Sequence, residues 1–175
     1  GGRNYVQDYK FQRQDIWKKN VGSVITIDND NGWVVLNEST SNPYVYQFFD
    51  VSTFKVGEPL TLQYEIKCEG VSANTATNSM LVQTVLTGYE SDKTFIGDKV
   101  NFGSHANNVA NLTEWTKCAF TKNLPNDFTG IGFFAIRLYA RNFRGKVYYR
   151  NVKLEKGNVA TDLSPAPEDA ELNID

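Results

Sequence analysis

The chain has 175 residues, of which 41% are hydrophobic and 13% are aromatic, so it can bury the core of one folded domain. A net charge of −2 and scattered basic residues exclude the concentrated basic face that nucleic-acid binding requires. No apolar run approaches the ~20 residues that cross a bilayer, so no insertion into a membrane is expected.

Strand patterns dominate the chain from residue 23 onward. They predict strands over 23–27, 33–37, 44–49, 60–67, 80–87, 114–121, 131–140 and 146–155. Asn31-Gly32, between the first two of these strands, is a strong hairpin-turn signal. No window shows a helical period over three turns. About eight to ten short strands punctuated by Gly, Pro and Asn predict an antiparallel sandwich or barrel.

Two stretches give more local information. Residues 60–67 alternate cleanly, which places Leu60, Leu62, Tyr64 and Ile66 on one face and predicts that this face joins the core. Residues 88–112 form the longest irregular stretch. Such stretches tend to be functional or to contain a short strand, for which 94–96 and 99–102 are the candidates.

The strand pattern ends after Gly157. Pro165 and Pro167 are incompatible with a hydrogen-bonded ladder, and acidic residues follow them. We therefore predict a β-sandwich module over residues 1–157 and a Pro-rich acidic linker to a following segment over residues 158–175.

Residues that carry catalytic chemistry are sparse. The single histidine, His105, lies in the long irregular stretch, where we expect it to be solvated, and no triad or metal cluster can be built around it. We therefore predict that the protein is not an enzyme and has no cofactor. Cys68 and Cys118 fit two thiols better than a disulfide, although both alternatives stay open.

Several segments together resemble a known class of module. They are Arg3-Asn4-Tyr5, VGEPLTLQYEIK (56–67), EWTKCAFT (114–121) and NVKLEKG (151–157) followed by ATDLSPAPED (160–169). This set resembles jelly-roll carbohydrate-binding modules of the family 4/9-like type, as carried by phage tail, baseplate and receptor-binding proteins of Gram-positive hosts. The resemblance implies a jelly-roll β-sandwich of two antiparallel sheets that binds a saccharide.

The resemblance also raises the question of whether the chain binds a structural calcium ion. Many such modules have an aspartate just before the motif of the last strand, where it is tied to a structural calcium ion. This chain has Arg150 at that position, which argues against a calcium ion there.

The predicted strand 131–140 indicates where a saccharide would bind. Its alternation places Phe134 and Ile136 in the core and turns an unusual row of Phe133, Arg137 and Tyr139 outward. A saccharide site needs aromatic platforms and hydrogen-bonding partners. The alternative is that a loop or a neighbouring domain covers this row.

In jelly rolls, consecutive strands tend to alternate between the sheets, so 44–49, 80–87 and 131–140 should share one sheet. Which face of 44–49 points outward stays open, because both faces carry aromatic residues. Trp33, after a tight turn, is either a platform at the rim of the site or part of the core. The candidate ligand-binding residues are Arg137, Tyr139, Phe133, Tyr46, Gln83, Tyr89 and Trp33.

These observations predict a non-catalytic carbohydrate-binding module of a phage tail or baseplate protein, located in the virion. Its expected partners are a saccharide of the host cell surface and other tail or baseplate proteins. Two alternatives stay open: a structural or spacer domain that makes protein–protein contacts in the tail, and an accessory module of a bacterial surface glycosidase.

Overall fold

The computed structural model describes residues 2–172, with side chains through Asp169. Within this range, ten strands form two antiparallel five-stranded sheets that pack face to face. This arrangement confirms the predicted jelly-roll β-sandwich. No helix in the described range is long and apolar enough to cross a membrane.

The first sheet carries the strands that matter for function. In spatial order it contains β1 (Lys18–Lys19), β4 (Tyr44–Asp50), β9 (Phe133–Arg141), β6 (Leu81–Tyr89) and β7 (Phe95–Ser104). As predicted, the strands at 44–49, 80–87 and 131–140 lie in this one sheet. Strand β7 joins the two short candidates within 88–112 into one continuous strand, which pairs with β6 as a hairpin.

The second sheet closes the other side of the core. Its order is β2 (Ile25–Asp28), β3 (Trp33–Ser39), β10 (Phe143–Lys156), β5 (Pro59–Ala73) and β8 (Thr116–Asn123). The remaining elements are 3-10 turns at Gly22–Val24, Val51–Thr53 and Ala106–Asn111, and a short C-terminal helix, α1 (Pro167–Leu172).

The alternation of β5 explains how this strand contributes to the core. Leu60, Leu62, Tyr64 and Ile66 are all fully buried between the sheets, as their spacing predicts. On the opposite face of the same strand, Gln63 is also buried, because the side-chain amide donates to the backbone oxygen of Thr161 at 2.6 Å. The C-terminal segment therefore covers part of the outer face of the second sheet.

Residues 158–169, predicted as a linker, pack against the sandwich. The Lys153 ammonium donates to the Asp162 backbone oxygen at 2.6 Å and to Thr161 Oγ1 at 2.9 Å. Further along, the Asp169 carboxylate accepts from the backbone N–H of Asp8 and from Arg13, both at 2.5 Å. The contacts of Lys153 tie the segment to β10, and those of Asp169 tie it to the N-terminal part of the chain. The module boundary at residue 157 stays a prediction.

His105 is buried, so the expectation of a solvated histidine is wrong. It follows directly after β7, and its Nε2 lies 2.5 Å from the hydroxyl of Tyr64, which also accepts a hydrogen bond from Thr84 Oγ1 at 3.1 Å. The pairing of β7 with β6 brings the histidine over the core, which sequence pattern did not reveal. Burial lowers the pKa of His105 below its ordinary value.

The buried histidine predicts a pH-dependent stability. The unfolded chain binds a proton at His105 near pH 6.5, whereas the folded protein does not until a lower pH. Stability from this group is therefore present above about pH 6.5 and is lost as the pH falls. We expect the melting temperature to drop between about pH 7.5 and pH 5.5. A His105→Gln variant should show a shallower drop in calorimetry, and an equal slope in both proteins would contradict this assignment.

Both cysteines are free thiols in the structure. Cys68 lies on the inner face of β5, and burial raises the pKa of its thiol to about 12. A thiol with such a pKa stays protonated at neutral pH and serves as a small apolar core residue.

Candidate functional site

The outward face of the first sheet gathers side chains from β4, β9 and β6. Antiparallel register sets their positions, because residues directly opposite one another share a face. The partner pairs on this face are Tyr44–Tyr139, Tyr46–Arg137, Gln83–Tyr139 and Tyr89–Phe133. The sheet thus brings five aromatic side chains, a glutamine and an arginine from three strands together.

The structure settles which face of β4 points outward. Val45 and Phe49 are buried in the core, and Gln47 points the same way. Its amide is satisfied there, since Nε2 donates to the backbone oxygen of Gln7 at 2.7 Å and Oε1 accepts from the Gln7 N–H at 3.1 Å. Since Val45, Gln47 and Phe49 point inward, the alternation of β4 turns its other aromatic residues outward, where a ligand can reach them. These residues are Tyr44, Tyr46 and Phe48.

A cleft of about 590 Å³ runs over this face. Its lining residues are Asn42, Tyr44, Tyr46, Phe48, Tyr89, Lys93, Phe95 and Arg137. Five of these eight side chains are aromatic, and their rings contact one another, with centroid separations of 5.4 Å for Tyr46–Phe48 and 5.0 Å for Phe48–Tyr89. The cleft therefore offers a continuous aromatic surface.

Arg137 lies at the centre of this surface. Its guanidinium carbon is 3.9 Å from the ring centroid of Tyr44 and 4.9 Å from that of Phe95. Nη2 donates to the Tyr89 hydroxyl, which is the one hydrogen bond of this guanidinium to any described residue. The side chain is thus held in place by rings and leaves most of its donors unused.

Lys93 supplies a second positive charge at the rim. It lies in the exposed turn between β6 and β7, and its ammonium is 4.9 Å from the Phe48 ring centroid and 5.1 Å from that of Phe133. The turn itself is closed by hydrogen bonds between Glu90 and Thr94 and between Lys93 and Glu90, each 2.8 Å long. This turn forms one side of the cleft.

The chemistry of the cleft suits binding. Burial raises the pKa of the Tyr44 and Tyr139 phenols, so both keep their protons at neutral pH and can donate hydrogen bonds. The lining residues include no carboxylate, so the cleft lacks the paired acids of glycoside hydrolysis. Aromatic rings beside fixed hydrogen-bond donors match the apolar faces and hydroxyl groups of a saccharide.

The structure places six of the seven predicted site residues on this face. Arg137, Tyr46 and Tyr89 line the cleft, while Tyr139, Phe133 and Gln83 adjoin it in the same sheet. Their ligand-binding role stays a prediction.

Trp33 lies elsewhere. It begins β3 in the second sheet, outside the core, and its ring is 5.5 Å from Trp115 and 5.9 Å from Tyr148. Because β3 belongs to the other sheet, the tight turn before Trp33 cannot bring it to the rim of this cleft.

Five of the eight lining residues are not among the predicted site residues, namely Asn42, Tyr44, Phe48, Lys93 and Phe95. A signal for Phe48 existed, because it continues the alternation of Tyr44 and Tyr46. Lys93 and Phe95 gave no such signal, since their position depends on how residues 88–112 fold back as a hairpin.

The structure also describes the surroundings of Arg150, at the position where the resemblance raised the question of a calcium ion. The Arg150 guanidinium pairs with the Glu65 carboxylate at 3.0 Å and lies 3.9 Å from the Trp115 ring centroid. A fixed cation therefore already neutralises the carboxylate, and these residues do not fit a calcium ion. No group of three or more His, Cys, Asp or Glu side chains suited to a metal occurs within residues 2–169.

The fold and cleft define a jelly-roll β-sandwich with an aromatic cleft on the outward face of its first sheet. No protein-family model and no curated protein sequence matches the chain. Solved structures do match. The tripod from the baseplate of bacteriophage Tuc2009 is 14% identical, with a TM-score of 0.61 over 97% of this chain and 60% of that chain. The enzymatically active domain of tailspike protein 4 of bacteriophage CBA120 is also 14% identical, with a TM-score of 0.55 over 88% of this chain.

A carbohydrate-binding module is similar as well. The C-terminal family 22 module of Clostridium thermocellum Xyn10B is 10% identical, with a TM-score of 0.58 over 91% of this chain and 96% of that module. By contrast, the chain spans 60% of the tripod chain and 21% of the tailspike chain, less than two thirds of either. At these identities the matches establish the shared fold.

Proposed function

We propose that the protein is a non-catalytic carbohydrate-binding module whose saccharide lies in the cleft of the first sheet. The observation that carries this proposal is the aromatic surface around Arg137. Tyr44, Tyr46 and Phe48 offer flat rings on one side of the guanidinium, and Tyr89 and Phe95 offer them on the other. The similarity in fold to a family 22 carbohydrate-binding module supports it.

We further propose that the module belongs to a phage tail or baseplate protein and recognises a cell-wall saccharide of a Gram-positive host. The similarity to the Tuc2009 baseplate tripod and to the CBA120 tailspike supports a location in the virion tail. One open cleft should bind weakly. Several copies on one particle would raise the overall avidity through effective concentration.

A structural or spacer role in the tail is the second candidate. Phe95 and Ile96, at the start of β7, are 52% and 40% exposed and give a contiguous apolar edge beside the cleft. Such an edge also suits contact with another tail protein. An accessory module of a surface glycosidase would use the same cleft, so this third alternative differs only in the protein that carries the module.

Cell labelling tests the adhesion proposal. A fluorescent, multivalent display of the protein should label particular Gram-positive strains, and purified wall polysaccharide from those strains should compete for the label. The same display carrying Tyr46→Ala should label them weakly. Absence of labelling across a broad strain panel would favour the structural role.

A further inference from the structure

The charge of Arg137 lacks a counter-ion. Its side chain is only 8% exposed, yet it forms no ion pair with any carboxylate in the described chain. Its Nε is buried without a hydrogen-bond partner, and the Tyr89 hydroxyl satisfies a single donor on Nη2. Buried charges in proteins are normally paired, because leaving water is costly for an isolated ion.

The rings around Arg137 offset part of this cost but supply no negative charge. Tyr44 and Phe95 contact the guanidinium through their faces, and the quadrupoles of the rings attract its positive charge. Lys93 adds a second cation on the same cleft, and it too forms no ion pair within residues 2–169. The eight lining residues thus carry two positive charges and no negative one.

Nearby acids do not neutralise these cations. Asp50 accepts from the backbone and hydroxyl of Ser52, and Asp92 accepts from the backbone of Thr94, so both carboxylates cap their own turns. Asp98 is exposed on β7 opposite Thr87, where its charge also acts on the Tyr139 phenol, and it makes no ion pair with Arg137. The charged residues that line the cleft itself are therefore both cations, which favours an anion there.

We propose that the cleft selects an anionic saccharide, whose carboxylate or phosphate group binds Arg137 while its sugar rings lie on the flanking tyrosines. This inference rests on the proposed saccharide-binding function. The unused guanidinium donors provide charge-assisted hydrogen bonds to such a group, and Lys93 at the rim reinforces the attraction. A neutral saccharide would leave the buried charge unpaired.

A glycan array that presents each backbone in neutral, uronic-acid and phosphorylated forms tests the inference. We expect acidic forms to bind at least tenfold more tightly than their neutral counterparts, and the array distinguishes carboxylate from phosphate recognition. For the best binder, isothermal titration should show a severalfold weaker affinity in about 0.5 M NaCl than in about 0.02 M NaCl, because salt screens the ion pair.

Two variants test whether Arg137 and Lys93 cause the preference for acidic saccharides. Arg137→Gln should abolish the preference for acidic forms. Lys93→Gln changes an exposed side chain and should reduce that preference at least threefold even if the first variant folds poorly. Lys122→Gln, an exposed cation on β8 in the other sheet, is the matched control and should bind like the unmodified protein.

The outcomes separate this inference from the proposed function. Equal binding of neutral and acidic forms would overturn the anionic preference and leave saccharide binding established. An unchanged preference in both the Arg137→Gln and Lys93→Gln variants would likewise overturn it. An array on which no saccharide binds would contradict the saccharide-binding function and the inference together.

Discussion

Replacing Tyr46 with alanine is expected to weaken saccharide binding at least tenfold and to leave the fold intact. Tyr46 lies in the cleft between Tyr44 and Phe48, with ring centroids 5.6 Å and 5.4 Å away, and opposite Arg137 in the sheet. Stacking of a nucleic-acid base on an aromatic ring, the nearest analogue, contributes ~1–3 kcal/mol, and about 1.4 kcal/mol corresponds to a factor of ten in affinity.

The side chain of Tyr46 also makes no hydrogen bond to any described residue and is only half-buried. Its removal should therefore cost little stability. Arg137 and Tyr139, in contrast, are each 8% exposed, so their substitution would mix binding with packing effects. Tyr46 gives the cleaner test of the cleft.

Trp115→Ala provides the matched control for this experiment. Trp115 is also half-buried and aromatic, but it contacts Trp33 and Tyr148 in the second sheet, away from the cleft. Titration calorimetry on both variants should show a large loss for Tyr46→Ala and no change for Trp115→Ala. Equal losses would indicate that the ligand does not lie in the cleft.

The second large effect concerns stability. Leu62→Ala is expected to lower the free energy of unfolding by ~2–5 kcal/mol, because it removes a side chain that is 0% exposed between the sheets and leaves a cavity. Denaturant titration followed by tryptophan fluorescence would measure the change, since Trp17 is buried in the same core.

Val56→Ala serves as the comparison for the core variant. Val56 is 55% exposed, in the turn before β5, so its truncation should change the free energy of unfolding by less than about 0.5 kcal/mol. A similarly small cost for Leu62→Ala would mean that the alternation of β5 does not mark the core face.

Local patterns account for what could be predicted of the fold. The alternation in β5 and β9 depends only on the apolar residues of each strand sharing one face, so the core positions Leu62 and Phe134 follow from the sequence. The sharing of one sheet by β4, β6 and β9 follows from the alternation of strands between the sheets of a jelly roll, and it placed Tyr46 beside Arg137.

The rest depends on contacts that no local pattern records. The inward position of Gln47 is permitted by the backbone of Gln7, which lies 40 residues away in sequence. His105 is buried because the hairpin of β6 and β7 brings it to Tyr64, and the same hairpin delivers Phe95 and Lys93 to the cleft. Long-range packing of this kind decided the parts of the site that sequence reasoning missed.

Trp33 is a predicted site residue whose location the local sequence could not decide. An aromatic residue after a tight turn fits the rim of a binding site, the core and an outer surface equally well. Its pairing with Asp28 and Arg150 decides the matter, because both partners belong to the second sheet. The residue type suggested a function, whereas the sheet that contains it determined its location.

The measurement that tests the central claim most directly is nuclear magnetic resonance mapping of the bound saccharide. The isotope-labelled protein would be titrated with the array saccharide that binds most tightly, or with fragmented wall polysaccharide from a labelled strain. We predict that the perturbed amide signals cluster in β4, in the centre of β9 and in the turn before β7, and that the signals of β3 and β8 stay unchanged. Perturbations confined to the second sheet, or the absence of any, would contradict saccharide binding in this cleft.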